Sequence, residues 1–171
     1  MSTALLVIDM QMAQFARPVH DGDGVVARIA GLIGRARASN VPVFHVQHAG
    51  PEDSPFAPGS AGWQFHPLLV PAPGDAIVAK QHGSAFHGTD LHIRLVARRV
   101  NRLVITGMKT QYCIDGACRG AAALDYQAVL VGDAHTTADN DILDARQIIA
   151  HHNKTLGDGY VSVCAAADVI F

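Results

Sequence analysis

A chain of 171 residues fits one domain with a single substantial core, here read as one domain over 1–171. The balance of 13 Lys+Arg against 15 Asp+Glu gives a net charge of -2 with no basic stripe, which argues against a nucleic-acid partner, and no apolar run is long enough for a membrane span. With 49% hydrophobic and 16% charged residues, part of the surface is expected to be covered by another copy, in a dimer or tetramer.

The first apolar run, Ala4 to Ile8, has no basic residues before it and stops at Asp9, so it reads as a strand covered on both faces and not as a signal peptide. Val25 to Ala38 places apolar residues at helical spacing, and Asn40-Val41-Pro42 closes that helix before a second strand, Val43 to Val46. From His48 to Gly74 the chain is rich in Pro, Gly, Ser and His without clear periodicity, a length of loop that is often functional. Asp75 to Lys80 is a third strand, and Thr89-Asp90 caps a helix predicted over Leu91 to Val100. A fourth strand, Leu103 to Thr106, leads through a short polar turn to a small-residue helix predicted to begin at Cys113. A fifth strand (Ala128 to Val131), a helix over roughly Asp141 to Lys154 and a sixth strand (Tyr160 to Cys164) complete the pattern. Three cysteines, at 113, 118 and 164, are odd in number and sparsely spaced, which suits reduced thiols of a cytoplasmic protein better than a disulfide framework.

Strands alternating with helices predict an α/β fold: a three-layer α/β/α arrangement around a six-stranded, mostly parallel sheet in the Rossmann-like order 3-2-1-4-5-6. Ligands of such sheets bind at the carboxyl ends of the strands, near the point where strand order reverses. Asp9, Lys80 and Cys113 all stand at such ends. Strands one and four are neighbours in this order, so Asp9 and Cys113 face each other, and an inward lysine closes much of the roughly 10 Å between strands three and one. A helix N-terminus at Cys113 is expected to favour a thiolate. Asp9 can serve as its base and later return the proton, Lys80 can hold Asp9 and stabilise anionic charge, and backbone N–H groups of the turn can receive an oxyanion. Each residue also has a plainer reading: Asp9 as a cap, Lys80 as a surface lysine, Cys113 as core.

Val7-Ile8-Asp9-Met10-Gln11, the lysine ending strand three before Ser84-Ala85-Phe86, and Ile105-Thr106-Gly107-Met108-Lys109-Thr110-Gln111-Tyr112-Cys113 together resemble the isochorismatase-like cysteine hydrolase superfamily. That superfamily includes nicotinamidases, N-carbamoylsarcosine amidase and streptothricin hydrolase-like enzymes. The resemblance runs from Ala4 to Asp168 and implies an Asp9-Lys80-Cys113 triad, a thioester on Cys113, a cis peptide at Met108-Lys109 and an oxyanion hole from the N–H groups of Lys109 and Cys113. Members similar to true isochorismatases lack the nucleophilic cysteine, so Cys113 points to cleavage of a small amide or carbamoyl substrate, without a cofactor. The alternative is a non-catalytic small-molecule-binding or scaffold member of the same fold. A redox role needs a resolving cysteine, and Cys118 falls on a different helix face.

Nicotinamidases add a metal through an Asp-x-His pair and a further histidine after strand two. This chain offers His45, His48 and His66 there but lacks that pair, and His45 and His48 point to opposite sides of a strand, so no metal is expected. The pocket is expected to draw on Gln11, Phe15, His48, Trp63, Phe86 and Tyr112, all next to a strand end or in the long loop. His135 reads as structural.

Overall fold

Apolar runs with no polar alternation can be buried only between two layers, and this requirement sets the architecture. A computed structural model describes residues 2–171. Its strands, β1 (Ser2–Ile8), β2 (Val43–His48), β3 (Ala76–Lys80), β4 (Val100–Met108), β5 (Gln127–Thr136) and β6 (Ser162–Cys164), form one sheet in the order β3-β2-β1-β4-β5-β6. Every ladder is parallel, where the sequence predicted a mostly parallel sheet. On one face, α1 (Gly22–Ala38) buries Val25, Ile29 and Leu32 against Leu5 and Val7 of β1. The opposite face carries α2 (Leu91–Ala97), α3 (Asp115–Ala123) and α4 (Ala145–Gly159), whose Leu91, Leu95, Ala117, Ala121 and Leu156 meet Leu6 and Ile8. Each fully buried Leu or Ile contributes about 1.5–3 kcal/mol of transfer free energy, so the central strand β1 anchors both layers.

Among the boundaries that differ from the sequence reading, three bear on the site and the helices around it. The helix α2 ends at Ala97, because Arg99 adopts a left-handed conformation (φ 54) and Val100 already pairs with Ser2 in the sheet. At α4 the start moves from Asp141 to Ala145: the Asp144 carboxylate accepts the N–H of Gln147, whose side chain accepts that of Asp144, a reciprocal cap that fixes the first turn. Cys113 does not open an α-helix. It lies in a π-helical turn, Thr110–Ile114, that precedes α3.

Two backbone features bring the strand ends together. Gly107 (φ 124) pairs with Ile8, and a Cβ there would come within 2.1 Å of the Ile8 carbonyl oxygen, so only glycine permits β4 to approach β1 this closely. Between Ile105 and Gly107 the β4–β5 register slips by three residues, which sets His135 opposite Gly107. Among the described residues no helix is long and apolar enough to cross a membrane.

Candidate active site

Asp9 follows the last residue of β1 in a left-handed conformation (φ 52) that aspartate tolerates better than most residues, and its N–H is held by the carbonyl of Val46 in β2 at 2.9 Å. Lys80 ends β3 opposite His48 of β2. Both Asp9 and Lys80 are buried, at 0% and 2% exposure, so each charge is out of water and needs the other. The Lys80 Nζ lies 2.7 Å from Asp9 Oδ2, 3.0 Å from the His82 carbonyl oxygen, 3.3 Å from Cys113 Sγ and 3.5 Å from His48 Nδ1. Four acceptors compete for three ammonium protons. No backbone N–H reaches the Asp9 oxygens, whose partners are the Lys80 ammonium and the Cys113 thiol.

These surroundings set the protonation states. Burial pushes the Asp9 carboxyl above its ordinary value, opposed by the charge of Lys80. Burial, reinforced by the neighbouring Asp9 charge, pushes the Cys113 thiol up to about 12, with Lys80 acting in the other direction. The expected resting thiolate is therefore corrected. Cys113 is a half-buried thiol in a π-turn beside a carboxylate. His48 is held below its ordinary value by burial and by repulsion from Lys80, so its ring is neutral near pH 7.

Asp9 and Cys113, but not the buried Lys80 behind them, open onto a cavity of about 230 Å³ lined also by Gln14, His48, Phe56, Lys109 and Tyr112. His48 and Tyr112 thus stand where the sequence put them, with Tyr112, 62% exposed, at the rim. Four expected pocket residues do not line it. The Gln11 carboxamide is buried beneath the site, accepting the His48 N–H at 2.8 Å and donating to the carbonyls of His48 (3.0 Å) and Trp63 (2.9 Å), so it ties the long loop to β2. Trp63 is held by that bond and by a second one from Gln47, which fixes the loop by its backbone. Phe15 packs its ring on His66 and the α1 layer. Phe86 stacks on Tyr126 and fits against Gly120 of α3, inside the opposite core layer. The sequence reading missed Gln14, carried inward by the 3-10 turn Met12–Phe15, and Phe56, whose ring meets His48 edge-on at 5.4 Å. Phe56 shows that the long loop closes over the pocket of its own chain.

The peptide bond between Met108 and Lys109 is cis. The three histidines of the nicotinamidase comparison do not converge: His45 is bonded to Asp75 on the far side of β2, His48 faces the pocket, and His66 accepts the N–H of Leu68. Among the described residues no group of three or more His, Cys, Asp or Glu side chains is placed to hold a metal ion.

An isochorismatase-domain family model matches residues 3–149. A streptothricin hydrolase from Streptomyces noursei is 33% identical over 177 residues, covering 98% of this chain and 64% of that enzyme, so the chain spans less than two thirds of its length. A ureidoacrylate amidohydrolase from Methylobacterium radiotolerans is 30% identical over 172 residues, covering 78% of this chain and 66% of that one. A cysteine hydrolase from Pseudomonas syringae pv. phaseolicola 1448A superposes with a TM-score of 0.91 at 25% identity, covering 97% of this chain and 89% of that one.

Proposed function

The chain belongs to the isochorismatase family of hydrolases, and from that premise we propose that it cleaves a C–N bond of a small amide- or carbamoyl-type molecule through a thioester on Cys113. One observation carries this reading: a single buried ammonium, Lys80, lies 2.7 Å from a carboxylate and 3.3 Å from a thiol that both line a small cavity. The relatives named as an amidohydrolase and a cysteine hydrolase favour the same chemistry.

In the proposed sequence, Cys113 Sγ attacks the carbonyl carbon while its proton passes to Asp9, whose raised affinity for protons suits it to the task. The oxyanion is received by the backbone N–H groups of Lys109 and Cys113. Asp9 then gives the proton to the leaving nitrogen, the C–N bond breaks, and an amine or ammonia departs from the thioester. Water loses a proton to Asp9, attacks the thioester, and releases the acid as the thiol is restored. The Lys80 ammonium offsets the negative charge moving between Asp9, sulfur and oxygen.

The test is ammonia or amine release across a panel of primary amides, carbamoyl compounds and lactam-like amides, by the wild type and by Cys113→Ala. Turnover of at least one member and its loss in Cys113→Ala are expected. A hydrolysis rate unchanged in Cys113→Ala overturns the nucleophile assignment, and no turnover across the panel favours the binding or scaffold reading.

A further inference from the structure

His135, set aside as structural in the sequence, is buried at 1% exposure and makes no contact with the cavity, yet it is bonded to the turn that carries the nucleophile. Its Nδ1 lies 2.9 Å from Thr110 Oγ1 and its Nε2 lies 2.8 Å from Asn153 Oδ1, while Asn153 Nδ2 donates to the Gly132 carbonyl at 3.0 Å. These distances leave one consistent set of protons. A carbonyl can only accept, so Asn153 must present its NH2 to Gly132 and its oxygen to His135. The His135 Nε2 must then carry the ring proton, Nδ1 accepts, and the Thr110 hydroxyl donates. A main-chain carbonyl of β5 thus sets the direction of every bond up to Thr110, the first residue of the π-turn Thr110–Ile114.

We infer that His135, braced by Asn153, is a positioning residue that holds Thr110 and so fixes where the turn delivers Lys109 and Cys113 opposite Asp9 and Lys80. The inference rests on the proposed role of Cys113. The three-residue slip of β5 is what carries His135 up to Gly107, and α4 supplies Asn153 from the layer above, so the turn is pinned from two elements outside itself. Burial holds the imidazole at a pKa of about 4, the charged neighbours in view being His152 of α4 and Asp133 of β5, so the ring stays neutral and its polarity fixed near pH 7.

Thr110→Val keeps the shape and removes the hydroxyl; Thr110→Ser keeps the hydroxyl. Two readouts are taken: turnover of an amide that the wild type hydrolyses, and the pH dependence of Cys113 alkylation by iodoacetamide, followed on the Cys113 peptide by mass spectrometry. Thr110→Val is expected to lower kcat by about ten- to a hundredfold with KM little changed. It is also expected to move the alkylation midpoint down toward the ordinary thiol value of about 8.5, as Sγ leaves its buried place between Asp9, just after β1, and Lys80 of β3. Thr110→Ser should match the wild type in both. Asn153→Ala, on a partly exposed helix position, should move both readouts the same way by a smaller factor and serves if Thr110→Val does not fold. Wild-type kcat and an unmoved midpoint in these variants, even with a lower Tm, overturn the inference. The alkylation arm needs no turnover, so it is read separately from the Cys113→Ala test of the function itself.

Discussion

Two carboxylates on this sheet, Asp9 and Asp75, each face a cation and a histidine, and they end in opposite states. Asp75, just before β3, accepts the N–H of Ala72 at 2.9 Å, contacts His45 Nε2 at 3.2 Å and pairs with Arg37. Its oxygens are used, and despite the opposing effect of burial the Arg37 and Ala72 bonds leave its carboxyl below the ordinary range. Asp9 has only side-chain partners, Lys80 at 2.7 Å and the Cys113 thiol, with His48 nearby and no backbone N–H on its oxygens, and burial drives its carboxyl upward. A cation alone does not decide what a carboxylate does. A backbone bond and a part-exposed arginine make Asp75 a brace for the loop entering β3, while deeper burial beside the Cys113 thiol leaves Asp9 ready to take a proton.

Exchanging each acid for its amide separates the two most sharply. Asp9→Asn keeps the shape but cannot accept the thiol proton, and is expected to lower kcat by about a hundred- to ten-thousandfold in a steady-state assay. Asp75→Asn is expected to leave kcat within about twofold of the wild type, because it touches nothing in the pocket. Lys80→Met tests the cation itself: it strands a buried carboxylate and is expected to cost about 3–5 kcal/mol of stability by urea titration along with the activity. For Asp75→Asn the stability cost is smaller, about 1–3 kcal/mol, from weakened bonds to Arg37, His45 and Ala72.

The smallest effect is the pH dependence of that last difference. Because the folded Asp75 has a pKa below its ordinary 3.8, its ionised form contributes stability that is fully present above 3.8 and lost as pH falls through the folded value. The Tm gap between the wild type and Asp75→Asn should therefore close in that acid window, and a gap that stays constant would show that Asp75 acts by packing. The sign is opposite for Asp9, whose raised pKa should appear as an acid limb in the rate profile above 3.8.

The Asp9 half of this contrast was legible in the sequence, where Asp75 reads only as the start of the third strand. Asp9, Lys80 and Cys113 could be placed because each ends or follows an apolar run, and parallel sheets gather such ends at one edge. The strand order followed from the same alternation. What could not be read depends on geometry that apolar patterning does not encode. The run from Leu91 to Val100 keeps its apolar rhythm straight through the break at Arg99, so α2 and β4 merge in sequence. The π-turn before α3 leaves no compositional trace, and neither does the burial beside Asp9 that pushes the Cys113 thiol up. Phe56 lies in a Pro- and Gly-rich stretch without periodicity. His135 reaches Thr110 only because β5 slips three residues against β4.

If the buried Asp9–Lys80 pair serves one covalent step on Cys113, acid quenching of the wild-type protein during turnover of an amide that it hydrolyses should leave the acyl mass of that substrate on the peptide containing Cys113, read by mass spectrometry and absent in Asp9→Asn. Continuing turnover with no acyl group on Cys113, or an equal adduct in Asp9→Asn, would contradict it.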